Sequence, residues 1–196
     1  MKKIKLLVTG CMGRMGQQII TSVKKDQNFK LVALTESKKI KVIAEQHGAT
    51  VPFLRPSELA DDQTGTKEVI KHATEWYVKN VGRPDLILTI YPTAVFITET
   101  DIEKAINLMR KTDSTSIVAC KEYNYPIQRA VFVNEQDKIE MFQPDYILTR
   151  TQDCEAAYHD AAQLYLSKVE QVLSGEDEFH NNSSMLIIPK HRAVDI

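Results

Sequence analysis

Short apolar segments alternate along the chain with segments whose apolar residues recur at helical spacing, and this alternation restricts the fold more than any other feature. The apolar runs lie at residues 3–8, 31–34, 86–90 and 116–120. The segments with helical spacing lie at residues 15–23, 39–46, 66–77 and 98–111. Strands that are apolar throughout are buried on both faces, so helices must cover both sides of the sheet. We therefore predict an α/β fold with three layers.

The order of these segments also indicates how the sheet is built. A strand, a helix and a second strand at the start of the chain predict a right-handed βαβ unit, and hence a Rossmann-like, mostly parallel sheet. Two later segments, 131–133 and 138–141, flank the polar sequence Asn134-Glu135-Gln136-Asp137, which predicts a β-hairpin outside the main sheet. We expect a single domain over residues 1–196, with a small extension at residues 123–150 that contains the hairpin.

Charge and composition exclude several classes of protein. The chain has 25 Lys and Arg against 26 Asp and Glu, and no basic run is interleaved with aromatic residues, so we expect no nucleic-acid partner. The apolar stretches are much shorter than the roughly 20 residues that span a bilayer. Three widely spaced cysteines (Cys11, Cys120 and Cys154) are typical of reduced thiols. We expect a cytoplasmic protein that acts on small molecules.

Three glycines follow the first strand and open the first helix. Gly10, Gly13 and Gly16 leave backbone N–H groups free to face a phosphate, and Arg14 lies among them. With Glu36 after the second strand, residues 1–37 resemble the first βαβ unit of dihydrodipicolinate reductases. The resemblance implies NAD(P) binding, with Glu36 contacting the adenosine ribose. The alternative is that the glycines only allow a tight turn, because no later segment resembles that family's substrate motifs.

Residues 38–196 carry a second, longer resemblance, in several ordered motifs. The motifs are Gly48–Asp62, Thr64–Thr66, Tyr125–Ala130, Glu140–Pro144, Thr149–Asp153 and Ala157–Ala161. In these segments the chain resembles the pseudaminic acid cytidylyltransferases, which are related to the CMP-sialic acid synthetases. The resemblance implies transfer of CMP from CTP to a nine-carbon 2-keto sugar acid, with Mg²⁺ as cofactor. It also implies a homodimer that uses the extension at residues 123–150.

The same resemblance assigns candidate site residues. Those on the sugar side are Gln128, Arg129, Arg150, Gln152, Asp153 and His159. Those on the nucleotide side are Thr93 and Ala94, which follow the strand at 86–90, and the glycine-turn residues Gly10, Gly13, Arg14 and Gly16. The chemistry is consistent, because arginine captures carboxylates and phosphates in a bidentate manner. The alternative is that Arg150 and Asp153 form a surface ion pair and that His159 has no ligand.

One segment gives conflicting indications. Tyr158, Ala161, Ala162 and Tyr165 stand at helical spacing, whereas the resemblance implies a loop that leads into a strand, with glycine at the position of Ala162. We predict the loop and strand.

Two departures from the cytidylyltransferases affect the half that binds CTP. The family's basic, glycine-rich loop is replaced by Gly10–Gly16, in which Arg14 is the only cation. At the other end, Arg192–Ile196 resembles the start of an Asp-Ile-Asp element that binds the metal, and the printed sequence includes only its first aspartate, Asp195. We therefore expect weakened or absent turnover. The alternatives are an NAD(P)-binding, reductase-like protein and a noncatalytic remnant that binds the sugar acid.

Overall fold

We describe the protein from a computed structural model that covers residues 4–9, 29–61, 63–91 and 93–193, with the backbone alone for 4–9 and 29–34. The strands are β1 (Ile4–Thr9), β2 (Phe29–Leu34), β3 (Leu86–Ile90), β4 (Ser116–Glu122), β5 (Val131–Val133), β6 (Ile139–Met141), β7 (Tyr158–Lys168) and β8 (Ser183–Ile187). The helices are α1 (Lys38–Gln46), α2 (Thr66–Asn80), α3 (Glu99–Thr112) and α4 (Val169–Ser174). Within these ranges, the structure contains no helix whose length and apolar character would let it cross a membrane.

Six strands form one mixed sheet in the order β2-β1-β3-β7-β4-β8. Strand β1 is parallel to β2 and to β3, and β4 is parallel to β8. Strand β7 is antiparallel to both of its neighbours, β3 and β4. The sheet is therefore mixed: the predicted parallel arrangement holds for five strands, and β7 at the centre is the exception. The chain leaves the sheet after β4 and returns directly beside it, so β7 needs no crossover helix and runs in the opposite direction.

Helices cover both faces of this sheet, as predicted. Leu88 and Ile90 of β3 belong to a buried cluster that also contains Ala44 of α1 and Ala105 of α3. Side chains alternate along a strand, so Thr89 lies on the opposite face. Helix α2 lies on that face, because its residue Ile70 lines a cavity with Tyr165, which pairs with Thr89; α2 also packs against α4. The capping box predicted at the start of α3 is confirmed, since Thr98 and Asp101 hydrogen-bond to each other's backbone N–H groups.

Strand β7 resolves the conflict between helical spacing and family resemblance. Tyr158 to Lys168 form a strand, as the resemblance implied. Its pairing with β4 shifts register between Val118 and Cys120, which marks a bulge. Within the bulge Ala162 adopts a φ of 50°, and its amide donates to Asp160 Oδ1 at 2.8 Å. An alanine therefore occupies a left-handed conformation that favours glycine.

The predicted hairpin is present as the pair β5–β6. Asn134 closes its turn, because its side-chain oxygen accepts hydrogen bonds from the amides of Gln136 and Lys138. Several large apolar side chains on and around the hairpin are exposed. They are Val131, Val133, Ile139, Phe142, Ile147 and Leu148, and we call them the hairpin patch. An apolar surface of this kind is typical of a site that contacts another protein.

Candidate functional site

The carboxyl ends of β3 and β4 meet the start of β7 at one edge of the sheet. Glu122 pairs with Tyr158, and the amide of Tyr91, directly after β3, donates to Gln163 O at 3.0 Å. Open α/β sheets bind ligands at the carboxyl ends of their parallel strands. We call this region the carboxyl edge, and two cavities open there.

The first cavity has a volume of about 340 Å³ and combines cationic and aromatic side chains. It is lined by Lys121, Glu122, Tyr123, Asn124, Tyr125, His159 and Lys190, and we call it the lysine cavity. The rings of Tyr123 and His159 lie 4.7 Å apart between centroids. Lys190 Nζ donates to Tyr123 O at 3.0 Å and lies 3.4 Å from a Glu122 carboxylate oxygen. The cavity can therefore offer cationic donors and an aromatic surface to an anionic or sugar-like ligand.

The second cavity, of about 320 Å³, lies on the face covered by α2. It is lined in part by Tyr91, Asp160 and Tyr165, and we call it the tyrosine cavity. The Tyr165 hydroxyl donates to Asp160 Oδ2, and the rings of Tyr91 and Tyr165 lie 5.3 Å apart between centroids. Burial raises the pKa of Tyr165, and the hydrogen bond to Asp160 raises it further. Tyr165 is therefore a neutral hydrogen-bonding group.

Asp160 and Tyr165 were missed as site residues by sequence reasoning. Asp160 lies within a family motif that we identified, but its side chain had no assigned role. The bulge at Ala162 brings Asp160 and Tyr165 together, and no pattern in the sequence encodes the register of that bulge. Only the family's glycine at position 162 indicated an unusual backbone.

Two proposed sugar-side residues, Gln128 and Arg129, lie in a 3₁₀ turn (Ile127–Arg129) that docks on the segment 149–155. Gln128 Nε2 donates to Glu155 O at 3.1 Å, and Arg129 Nη1 donates to Thr149 O at 2.7 Å. Gln128 is 9% exposed, and its Oε1 atom is buried without a hydrogen-bond partner among the described residues. A buried acceptor without a partner is costly, so this atom is a place where a ligand donor would be favourable.

Arg150, Gln152 and Asp153 lie at another 3₁₀ turn of this region (Thr151–Asp153), where Arg150 is the N-cap. Arg150 Nε donates to Asp153 Oδ2 at 2.8 Å, and the two side chains are 72% and 47% exposed. Arg150 and Asp153 therefore form the surface ion pair that the alternative interpretation predicts. Such an exposed pair contributes about 1 kcal/mol or less, so a ligand can replace it at little cost.

His159 lies on strand β7, whereas the other five sugar-side residues lie at the two 3₁₀ turns just described. It is the only one of the six among the described residues that line the lysine cavity. Its Nδ1 atom is 2.8 Å from the backbone oxygen of Asp160, which leaves Nε2 as the ring nitrogen for a ligand. The structure thus places five residues around the base of the hairpin and the sixth in a cavity at the carboxyl edge.

The proposed nucleotide-side residues divide into a described and an undescribed group. Thr93 is half-buried in the loop after β3. Ala94 is fully buried, with its amide bound to Tyr91 O and its carbonyl to the amide of Ile97, so it shapes this loop. The predictions for Gly10, Gly13, Arg14, Gly16 and Asp195 fall outside the described residues. Within the described part of the chain, no three His, Cys, Asp or Glu side chains come together as metal ligands.

Glu36, the acid assigned to the adenosine ribose in the reductase reading, already has a partner. Its carboxylate accepts a hydrogen bond of 2.5 Å from Arg55 Nη2. The backbone amide of Arg55 also donates to Thr35 O at 2.9 Å. The reductase-like and cytidylyltransferase-like parts of the chain are therefore connected through Arg55.

Comparison with known proteins supports both resemblances. The family model "Dihydrodipicolinate reductase, N-terminus" matches residues 4–74. A 4-hydroxy-tetrahydrodipicolinate reductase from Pelagibacter ubique is 65% identical over 40 residues, which is 20% of this chain and 16% of that protein. A pseudaminic acid cytidylyltransferase from Campylobacter jejuni is 29% identical over 167 residues, which is 85% of this chain and 72% of that protein.

The fold comparison agrees with the longer match. The crystal structure of a 4-diphosphocytidyl-2C-methyl-D-erythritol synthase from Anaerococcus prevotii aligns with a TM-score of 0.62 at 14% identity, covering 100% of this chain and 90% of that one. The chain is thus a distant homologue of pseudaminic acid cytidylyltransferases with a nucleotidyltransferase fold, and a reductase-like segment stands at its N-terminal end.

Proposed function

We propose that the chain is a cytidylyltransferase-like protein whose substrates are CTP and pseudaminic acid or a related nine-carbon 2-keto sugar acid. The observation that carries the proposal is the match to a pseudaminic acid cytidylyltransferase over 85% of the chain. The site geometry supports it, because cationic and amide side chains surround the carboxyl edge and the base of the hairpin.

In this proposal Arg129 and Arg150 bind the carboxylate of the sugar acid. Arg150 exchanges its exposed partner Asp153 for that carboxylate, and Asp153 then becomes free to accept hydrogen bonds from sugar hydroxyls. Gln128 offers its buried Oε1 to a hydroxyl or amide donor of the sugar, which would satisfy an atom that has no partner in the described part of the chain. His159 contributes a polar contact from the lysine cavity.

We further propose that CMP transfer is slow or absent. The anomeric hydroxyl must attack the α-phosphorus of CTP while pyrophosphate leaves, and this needs positive charge around the phosphates. The residues that stand where the family has its basic loop supply one cation, Arg14. The chain would then retain the sugar acid better than it processes CTP.

Pyrophosphate release from CTP, with the sugar acid and Mg²⁺ present, tests the reaction. Calorimetry with the sugar acid tests binding separately. We expect binding to weaken at least about tenfold in Arg150→Ala, because a charge-assisted contact is lost. Arg110→Ala is the matched control, since Arg110 is an exposed arginine in the last turn of α3, away from these residues. Neither sugar-acid binding nor pyrophosphate release in the unaltered chain would contradict the proposal.

A second candidate function is NAD(P) binding, which is favoured by the 65% identity to a reductase over 40 residues. In this alternative Glu36 binds the adenosine ribose, so Arg55 must release it. Titration with NADH followed by nicotinamide fluorescence tests this alternative. Glu36→Gln should weaken binding and Arg55→Met should strengthen it, because Arg55 competes for the carboxylate. Equal fluorescence titrations for all three proteins would exclude a role for Glu36.

We also propose that the chain forms a homodimer through the hairpin patch. Its apolar side chains are too exposed to contribute to the core of a single copy. Ile139, for example, is 76% exposed and Leu148 is 92% exposed. Burying them against a second copy would remove this surface from water.

A further inference from the structure

The C-terminal segment is held at the carboxyl edge by side chains from several different elements. Gln163 Nε2 of β7 donates to Arg192 O at 3.0 Å. Lys121 Nζ of β4 donates to Ala193 O at 2.9 Å, and Ala193 is 2% exposed. Here the backbone oxygens of residues 192 and 193 are bound by partly or fully buried side chains, so this segment has a fixed place.

Arg192 extends this attachment to the loop after β3. Its Nη1 and Nη2 atoms donate to the two carboxylate oxygens of Asp101 at 2.6 and 3.0 Å. Nη1 also donates to Phe96 O, in the loop, at 2.9 Å. The Asp101 side chain is 4% exposed and also accepts from the amide of Thr98, in the capping box of α3. One guanidinium therefore joins the C-terminal segment, the loop after β3 and the start of α3.

The pair of Arg192 and Asp101 contributes more to the arrangement of the segments that it joins than to the stability of the fold. Burying an arginine and an aspartate carries a desolvation cost that offsets much of their attraction, so such pairs add little net stability. The planar guanidinium fixes both the distance and the orientation of a carboxylate that it binds through two nitrogens. Arg192 thus determines where residues 93–97 lie relative to residues 189–193.

We propose that Arg192 and Asp101 are positioning residues that hold the loop at 93–97 and the segment at 189–193 in one arrangement at the carboxyl edge, and thereby support nucleotide binding. The link to the nucleotide rests on the proposed function, which places Thr93 on the nucleotide side. Neither residue contacts the ligand in this proposal. The pair acts through the backbone of the loop, whose carbonyl at Phe96 it binds.

Amide hydrogen exchange tests the structural half of the proposal. The reporters are Ala94 and Ile97 in the loop, and Arg192 and Ala193 in the C-terminal segment, because all four amides donate backbone hydrogen bonds. In Arg192→Met we expect the reporter amides of both segments to exchange about tenfold faster or more, as in local opening. Because that variant alters residue 192 itself, the amide of position 192 is followed in Asp101→Asn, where we expect the same acceleration. Core amides of β3 and β7 should keep their rates, which separates local opening from global unfolding.

Arg83→Met is the matched control for hydrogen exchange. Arg83 also binds a carboxylate, Glu170, at 2.7 Å, but the pair is exposed and both of its residues lie outside the two segments. This variant should leave all four reporters unchanged. Faster exchange in the C-terminal segment of Arg192→Met with an unchanged loop would overturn the proposal, because the pair would then fix only one segment.

Titration with CTP and Mg²⁺ tests the functional half, at a temperature where every variant is folded. We expect Arg192→Met to weaken CTP binding about tenfold, within the usual range of coupling between sites. Arg192→Lys should restore part of the loss, because it keeps the charge without the planar geometry, and Arg83→Met should bind like the original chain. Equal affinity in Arg192→Met would overturn the proposed effect on the nucleotide. Failure of the unaltered chain to bind CTP would contradict the proposed function instead, and hydrogen exchange would still decide whether the pair couples the segments.

Discussion

Replacement of Ala162 by glycine should make the protein more stable, although it removes a side chain from a strand. Ala162 has a φ of 50°, in the region that side chains with a Cβ atom disfavour. The bulge in β7 imposes this conformation, because the amide of Ala162 must point at Asp160 Oδ1. Glycine adopts the same backbone without a steric penalty.

Two opposing terms set the size of the effect. Relief of the left-handed conformation should contribute about 1–2 kcal/mol to folding. The greater freedom of glycine in the unfolded chain should cost about 0.5–1 kcal/mol. The methyl group of Ala162 is only partly buried, so its loss adds little. We expect net stabilisation of about 0.5–1 kcal/mol, which raises the Tm by about 1–4 °C for a chain of this size.

Urea and thermal unfolding of Ala162→Gly measure this free energy, and Ala161→Gly is the control. Ala161 is 2% exposed and is not among the residues with positive φ, so glycine there removes a buried methyl group without relieving strain. We expect that control to lose about 1.5 kcal/mol. If Ala162→Gly were destabilised as much as Ala161→Gly, the argument from the strained bulge would be refuted.

Three further predictions concern other parts of the chain. Burial opposes ionisation of Asp101, but hydrogen bonds from Arg192 and Thr98 outweigh it and lower the pKa of Asp101 from 3.8 to about 2. The free energy of unfolding should therefore fall by about 2 kcal/mol as the pH falls from about 4 to about 2. Acid-unfolding curves should show this loss in the original chain but not in Asp101→Asn. Burial and the charge of Asp160 raise the pKa of Cys120 to about 11, so mass spectrometry should find Cys120 unmodified by iodoacetamide at pH 8 in the folded protein and modified in urea. Ile139→Asp should convert the proposed dimer to a monomer in light scattering, whereas Val81→Asp, at an exposed apolar residue after α2, should not.

The elements of the fold were largely predictable because each depends on local pattern. The strand Leu86–Ile90 was predicted with its observed bounds, since five apolar or β-branched residues follow a glycine and a proline. The capping box at Thr98 and the hairpin around Asn134 were predictable for the same reason. Their signals lie within a few residues of each other, and tertiary structure did not override them.

The direction of β7 and the contents of the cavities depend on long-range contacts and were not predictable. Apolar spacing is the same for a parallel and an antiparallel strand, so no sequence pattern indicated an antiparallel strand at the centre of the sheet. The contact of Arg192 with Asp101 joins residues 91 positions apart. That His159 lines one cavity with Lys121 and Lys190 depends equally on contacts between distant parts of the chain.

The join between the two resemblances explains why the fold alone does not decide the function. Strand β1 pairs with β3 in parallel through the backbone of Leu6, Leu7 and Val8, and backbone pairing is indifferent to the family from which a strand comes. A reductase-like βαβ unit can therefore occupy the edge of a cytidylyltransferase sheet without changing its topology. Ligand binding depends more strongly on the residues of this unit, because a triphosphate needs cations at the turn after β1 and a dinucleotide needs a free carboxylate at Glu36. Since Arg55 binds that carboxylate in this structure, binding of a dinucleotide at Glu36 requires the contact between Arg55 and Glu36 to break.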